Sequence, residues 1–224
     1  MTNPWDMGYS DFGEGPNDFG LPGNNEAMRA ITVLTSRLAH ARDPEYEAKL
    51  KSGSFNPQPA HGVRLPKVKG IVKEWLKDRR DWPEDFLFSV CDGLWSTGWR
   101  EERMAAIAIV VGTDLIYGMD WADLDRWSKE LDNAEMVDNL AGIPGRMLQM
   151  NPRLHASVRN LANSSNRWQR RLAVSTMIVA AHDPSWQPGL GAMIERLQND
   201  DEPVVQEAIE KARHRVQRLA ARRR

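Results

Sequence analysis

With a single cysteine, Cys91, among 224 residues, the chain has no means of forming an internal disulfide and fits a reducing compartment. Cys91 stands in the apolar stretch LFSVCDGLW, where a small buried thiol is the expected role. No apolar run approaches the roughly 20 residues that a bilayer span requires, and the N-terminus lacks a basic start followed by an apolar segment. A cytoplasmic protein without membrane attachment is expected. The five histidines, His40, His61, His155, His182 and His214, show no H-x-x-x-H or Cys/His spacing, so neither zinc nor any other metal is expected. Phosphate loops, nucleophile elbows and dinucleotide fingerprints are missing too. No cofactor is implied. No convincing alternation of apolar and polar residues occurs, which leaves almost no room for sheet.

Charge of one sign is also lacking overall, the formal net charge being -1, but its distribution is uneven. Residues 1–26 hold Asp6, Asp11, Glu14, Asp18 and Glu26 and no lysine or arginine, whereas residues 205–224 hold seven Lys/Arg against two acids. Residues 1–24, rich in Gly, Asn, Asp and Pro, read as a flexible acidic tail, and residues 25–224 as one folded domain with a basic end. That basic end serves equally well as a solvated helix terminus or as a phosphate contact.

What is abundant is helical periodicity. Helices are expected over 26–42, 44–52, 66–79, 83–97, 99–112, 121–131, 133–141, 144–150, 152–163, 166–181, 186–199 and 203–221. Pro83, Pro152 and Pro203 suit first turns, and Asp132 with Glu135 has the spacing of a capping box. Residues 53–65, with Pro57, Pro59 and Gly62, read as a loop. Helix pairs in units of roughly 35–45 residues fit an all-α, right-handed superhelical stack of antiparallel pairs, an α-solenoid of the HEAT or armadillo kind. Such stacks offer a concave groove to an extended partner.

The stretch NRWQRRLAVSTMIVA (166–180) carries two adjacent arginines. Trp168, Leu172, Ser175 and Val179 follow the rhythm of a buried face. At 100° per residue Arg171 falls at its margin and Arg170 points outward. An arginine at a packed margin needs an anionic partner, a carboxylate or a phosphate. Trp75, Trp95, Trp99, Trp127 and Trp168 are read as core, and Trp5, Trp82, Trp121 and Trp186 as exposed at ends or turns.

That stretch, together with HGVRLPKVKGIVKEW (61–75), LWSTGWREERMAAIAIVVG (94–112) and NAEMVDNLAG (133–142), resembles in order and spacing the motifs of the alkylpurine DNA glycosylases of the AlkD type, which are built from HEAT-like repeats. The resemblance covers about residues 26–217. It implies hydrolysis of the N-glycosidic bond of cationic N3- or N7-alkylpurines in duplex DNA, by a monomer, without a base-holding pocket. The family's catalytic aspartate maps onto Asp138 and its arginine onto Arg171. Two tryptophans of the family map onto Ala134 and Lys211, so both rings are missing. The resemblance gives Asp138 the role of stabilising a sugar cation, and Arg171 that of anchoring a phosphate or positioning Asp138. Backbone contacts to DNA are expected from Arg64, Lys67, Lys69, Arg146, Arg167, Arg170, Lys211, Arg213 and Arg215. Two alternatives stay open: a non-catalytic relative that binds branched or damaged DNA, and a helical-repeat scaffold for a protein partner.

Overall fold

Apolar residues recur with the period of an α-helix almost throughout the chain, and the structure, a computed structural model, makes a helix of each such stretch. It describes residues 24–52, 58–79 and 82–221; the expected tail thus lies, apart from Asn24, outside the described residues, as does Trp5. The N-terminal half holds α1 (Asn24–His40), α2 (Pro44–Ser52), α3 (Leu65–Trp75), α4 (Glu84–Ser96), α5 (Arg100–Gly112) and α6 (Leu115–Gly118). The C-terminal half holds α7 (Trp121–Lys129), α8 (Ala134–Leu140), α9 (Gly142–Met150), α10 (His155–Ala162), α11 (Arg167–Ala180), α12 (Gln187–Leu197) and α13 (Pro203–Ala221). Single 3-10 turns follow α3 and precede α10 and α12. No strand occurs among the described residues.

The helices pack as the all-α stack of pairs that the periodicity implies. α3 packs on α5, α5 on α8, α8 on α11 and α11 on α13, so these five form one continuous row. α1 packs on α4, α4 on α5, and α12 on α13 behind that row. α11 lies deepest: it touches α7, α8, α9, α10, α12 and α13, and side chains around most of its circumference are buried. In the core, Trp95 and Trp127 stack in parallel, centroids 4.5 Å apart, both out of contact with water. The Trp127 indole N–H donates to Asp92. Trp75 is also buried. Trp99, read as core, is instead 36% exposed and stacks on His61 at 4.2 Å. Trp82, Trp121, Trp168 and Trp186 are partly buried against the core, so the first, second and fourth are less exposed than expected. Cys91 is buried as expected, and burial pushes its thiol pKa up.

Local chemistry explains how α8 is held. Its N-cap is Asn133, whose side chain accepts from the Met136 amide at 2.8 Å, one residue beyond the capping box read from Asp132 and Glu135. Asp132 instead accepts from Gln58 and Asn133. Glu135, with no capping role, is gripped by Arg100, which donates to both its oxygens at 2.8 and 2.6 Å. The first turn of α5 is charged yet buried. Arg100 also donates to the Val63 carbonyl and to Glu101, and Glu101 accepts the amides of His61 and Val63. This network fastens the segment before α3, the start of α5 and the start of α8 together. Gly62 sits in that segment with φ of 80°, and a Cβ there would lie 2.6 Å from the Asp43 carbonyl and from the Glu47 Cβ. Only glycine fits both demands.

Candidate functional site

Asp138 lies one turn beyond Glu135 on α8, and its carboxylate meets three donors from two other helices. Arg171 on α11 donates from Nε to Oδ1 at 3.1 Å and from Nη2 to Oδ2 at 2.8 Å. The Ser175 hydroxyl, one turn further along α11, donates to Oδ1 at 2.9 Å. Lys211 Nζ on α13 lies 2.9 Å from Oδ2. Arg171 is itself fully shielded from water, whereas the Asp138 side chain keeps 34% of its surface open. Arg171 spends its remaining Nη1 group on the Val204 carbonyl at 2.7 Å and on Glu207 at 3.0 Å. Glu207 binds Lys211 as well, at 2.9 Å. Two carboxylates and two cations thus close a ring across α8, α11 and α13.

Burial pushes the Asp138 carboxyl pKa up, and the Arg171 and Lys211 cations outweigh it, so the net shift is below the ordinary aspartate value. Burial pulls the Arg171 and Lys211 pKa values down, and the facing carboxylates more than compensate. Hydrogen bonding from Lys211 leads the lowering at Glu207. All four groups therefore stay ionised at neutral pH. A carboxylate so fixed is a poor proton acceptor and a good stationary negative charge.

Asp138 stands at the edge of a cleft of about 500 Å³ between α3, α5 and the α8–α9 junction. Val72, Leu76, Met104 and Ile107 form its apolar floor. Lys69 and Lys73, one turn apart on α3, line it along with Asp138 and Asn139. Neither lysine pairs with a carboxylate among the described residues.

The other expected contacts divide. Lys67 lines a different groove, between α1 and α3. Arg64 is exposed, near Asp43 at 3.7 Å and over the Tyr46 ring. Arg146 is exposed and reaches the carbonyl of Val111, another residue of the cleft. Arg167 is half-exposed and pairs with Glu202. Arg170 does not point outward: it is largely buried, grips both oxygens of Asp200 at 2.6 and 3.1 Å, and caps the Ser164 and Ser165 carbonyls. Arg171 is likewise beneath the surface rather than at a packed margin, because α11 is covered on more than one face. Arg213 pairs with Glu210 and falls about 160° from Lys211 on the α13 wheel, whereas Arg215 falls about 40° from it. Lys211, His214 and Arg218 line a shallow surface depression on α13.

Several participants carry little signal in the sequence. Ser175 shows there only as part of a packed face. Glu207 and Lys211, and Lys69 and Lys73, announce themselves only as i,i+4 pairs on polar helix faces. Asn139 gives no signal at all.

Comparison with known proteins follows this geometry. A family model described as DNA alkylation repair enzyme matches residues 34–214. No curated protein matches the chain by sequence. Among solved structures, a predicted DNA alkylation repair enzyme from Enterococcus faecalis is similar, with a TM-score of 0.63 at 17% identity, over 79% of this chain and 84% of that one. At that identity the likeness shows a shared fold.

Proposed function

The chain belongs to the DNA alkylation repair enzyme family, and from that premise we propose that it is a DNA glycosylase that hydrolyses the N-glycosidic bond of cationic N3- and N7-alkylpurines in duplex DNA. The observation that carries the reading is the Asp138 carboxylate, ionised, fixed from behind by buried Arg171, and open at the mouth of the cleft. A cationic alkylpurine is a good leaving group. As the bond from C1′ to the base nitrogen breaks, its electron pair neutralises the base and positive charge passes to the sugar. A fixed carboxylate stabilises that charge: two unit charges 4 Å apart attract by about 4 kcal/mol at an effective dielectric of 20, roughly a thousandfold in rate. Water then adds to C1′ and loses its proton to solvent.

In this reading Arg171 is a positioning residue. All its contacts lie inside the protein, so it sets the aim of Asp138 rather than touching DNA. Phosphate contacts fall to the exposed cations on the same row of helices, Lys69 and Lys211 with Arg215, and at the periphery to Arg64, Arg146 and Arg167. Lys67, Arg170 and Arg213 are proposed to contribute less, given their placement.

A second reading, a non-catalytic DNA-binding relative, draws on Lys211. Its ammonium stands 2.9 Å from Oδ2 and offsets the charge that the sugar cation needs. Ala134, at the start of α8, adds no ring beside it. One experiment separates the two. Duplex DNA treated with a methylating agent is incubated with the protein, and free 7-methylguanine and 3-methyladenine are quantified against a protein-free control. Release above the control supports the glycosylase; binding of the same duplex without release supports the second reading.

A further inference from the structure

The cleft beside Asp138 carries an inference that deepens the proposed function and rests on it: we propose that the cleft between α3 and α5 receives a purine nucleotide extruded from the duplex. This departs from the pocketless action that the family resemblance implies. The lining is divided in the way a nucleotide is divided. The floor of Val72, Leu76, Met104 and Ile107 is wholly aliphatic, suited to the face of a base. Lys69 and Lys73 stand on the α3 side without a carboxylate partner among the described residues, positioned for the phosphate ester. Asp138 stands on the α8 side, where the sugar linking base and phosphate would come to lie. Its volume of about 500 Å³ falls within the about 300–1,000 Å³ typical of small-molecule sites. An apolar slot flanked by two cations and one fixed carboxylate does not suit a simple hydrocarbon ligand, which leaves the cations idle, nor a bare anion, which leaves the floor idle. A base cannot reach Asp138 and fill the slot while stacked in a helix, so the occupant must leave the stack, at a cost of a few kcal/mol. Aliphatic contact on the floor and cation contact on the rim offset that cost.

Glycine supplies the handle for a test. Gly142, the first residue of α9, also lines the cleft, and a Cβ built on it meets no atom within 4 Å. Gly142→Trp therefore places a ring in the cleft without displacing the core. Ala108→Trp blocks it from α5 and serves as an independent second variant; thermal melting verifies that both fold. The probe is a duplex with one 2-aminopurine in a mispair, whose emission is quenched by stacking and recovers in an aliphatic environment. At saturating wild-type protein the emission rises several-fold, and in both blocked variants the rise is lost. Wild-type protein that binds this duplex without brightening it overturns the inference and leaves the proposed function standing. Brightening that persists in both folded variants overturns it as well, because the base then leaves the stack for another place. Absence of duplex binding altogether, together with absence of alkylbase release, overturns this inference and the proposed function at once.

Discussion

Arg171 grips both oxygens of Asp138, at 3.1 and 2.8 Å, while remaining wholly shielded from water. The partner it holds is open to solvent on its other side. A buried guanidinium beneath a half-exposed carboxylate is an arrangement for aiming a charge outward. It also ties α11 to α8, as Arg100 ties α5 to the same short helix through Glu135.

Arg171→Met is expected to cost about 2 kcal/mol of folding stability, read as a lower unfolding midpoint in urea. Removing one member of a fully buried pair costs about 3–5 kcal/mol. Here the carboxylates left behind, Asp138 and Glu207, reach water and are screened. Arg171→Lys, which keeps charge but not the two-point grip, should recover part of the stability and little of the alkylbase release.

Lys211 is the resting counterion of Asp138 and a candidate phosphate contact. Lys211→Ala should therefore change two quantities in opposite directions. Duplex affinity falls and its dependence on log salt becomes shallower by about one unit, while the single-turnover rate of release at saturating protein rises. A rate that falls with the affinity would show that Lys211 assists the chemistry instead.

Two carboxyl groups give opposite pH signatures. The pKa of Asp138 is lowered in the folded chain because its two cations outweigh burial. Its contribution to stability is present above the unfolded aspartate range and is lost as pH falls through the folded value. Glu102 is raised: burial leads, and contact with His61 only partly opposes it. Its Oε2 is buried with no partner. The stability tied to Glu102 is full below the unfolded glutamate range and declines as pH rises through the folded value. Glu102→Gln should thus stabilise the protein at neutral pH, by an amount on the order of 1 kcal/mol, and the gain should vanish near pH 4. Equal melting temperatures of variant and wild type at pH 7 would contradict this.

Gly62→Ala should destabilise the protein by more than the about 1–2 kcal/mol of a left-handed non-glycine residue. The added Cβ also meets the Asp43 carbonyl and Glu47 at 2.6 Å. Thermal unfolding reads this directly. A melting temperature unchanged by the substitution would mean that the segment before α3 relaxes without cost.

Much of the fold is legible in the sequence because its signals are local. Periodicity places α2 and α13 at the bounds the structure gives, Pro44–Ser52 and Pro203–Ala221, since each starts at a proline and the pattern runs on unbroken. α6 escapes because four residues, LIYG, are too few to show a period. α11 looks two-faced in sequence because periodicity assumes one solvent side, and six neighbouring helices cover it. Asp138 and Arg171 stand out only through the family resemblance. Their meeting is a tertiary event between residues 33 positions apart, as are the additions of Ser175 and Glu207. The cleft is invisible in sequence for the same reason: Met104 and Ile107 read as ordinary core on α5, and only the packing of α3 and α9 around them leaves space.

The Asp138 carboxylate is assigned the chemistry. The direct measurement is single-turnover release of 7-methylguanine from a duplex bearing that lesion, by wild-type protein and by Asp138→Asn, with duplex binding measured alongside. The expected result is release by wild type and loss of release by at least a hundredfold in Asp138→Asn, with the duplex still bound. Equal release by the two proteins would contradict the account.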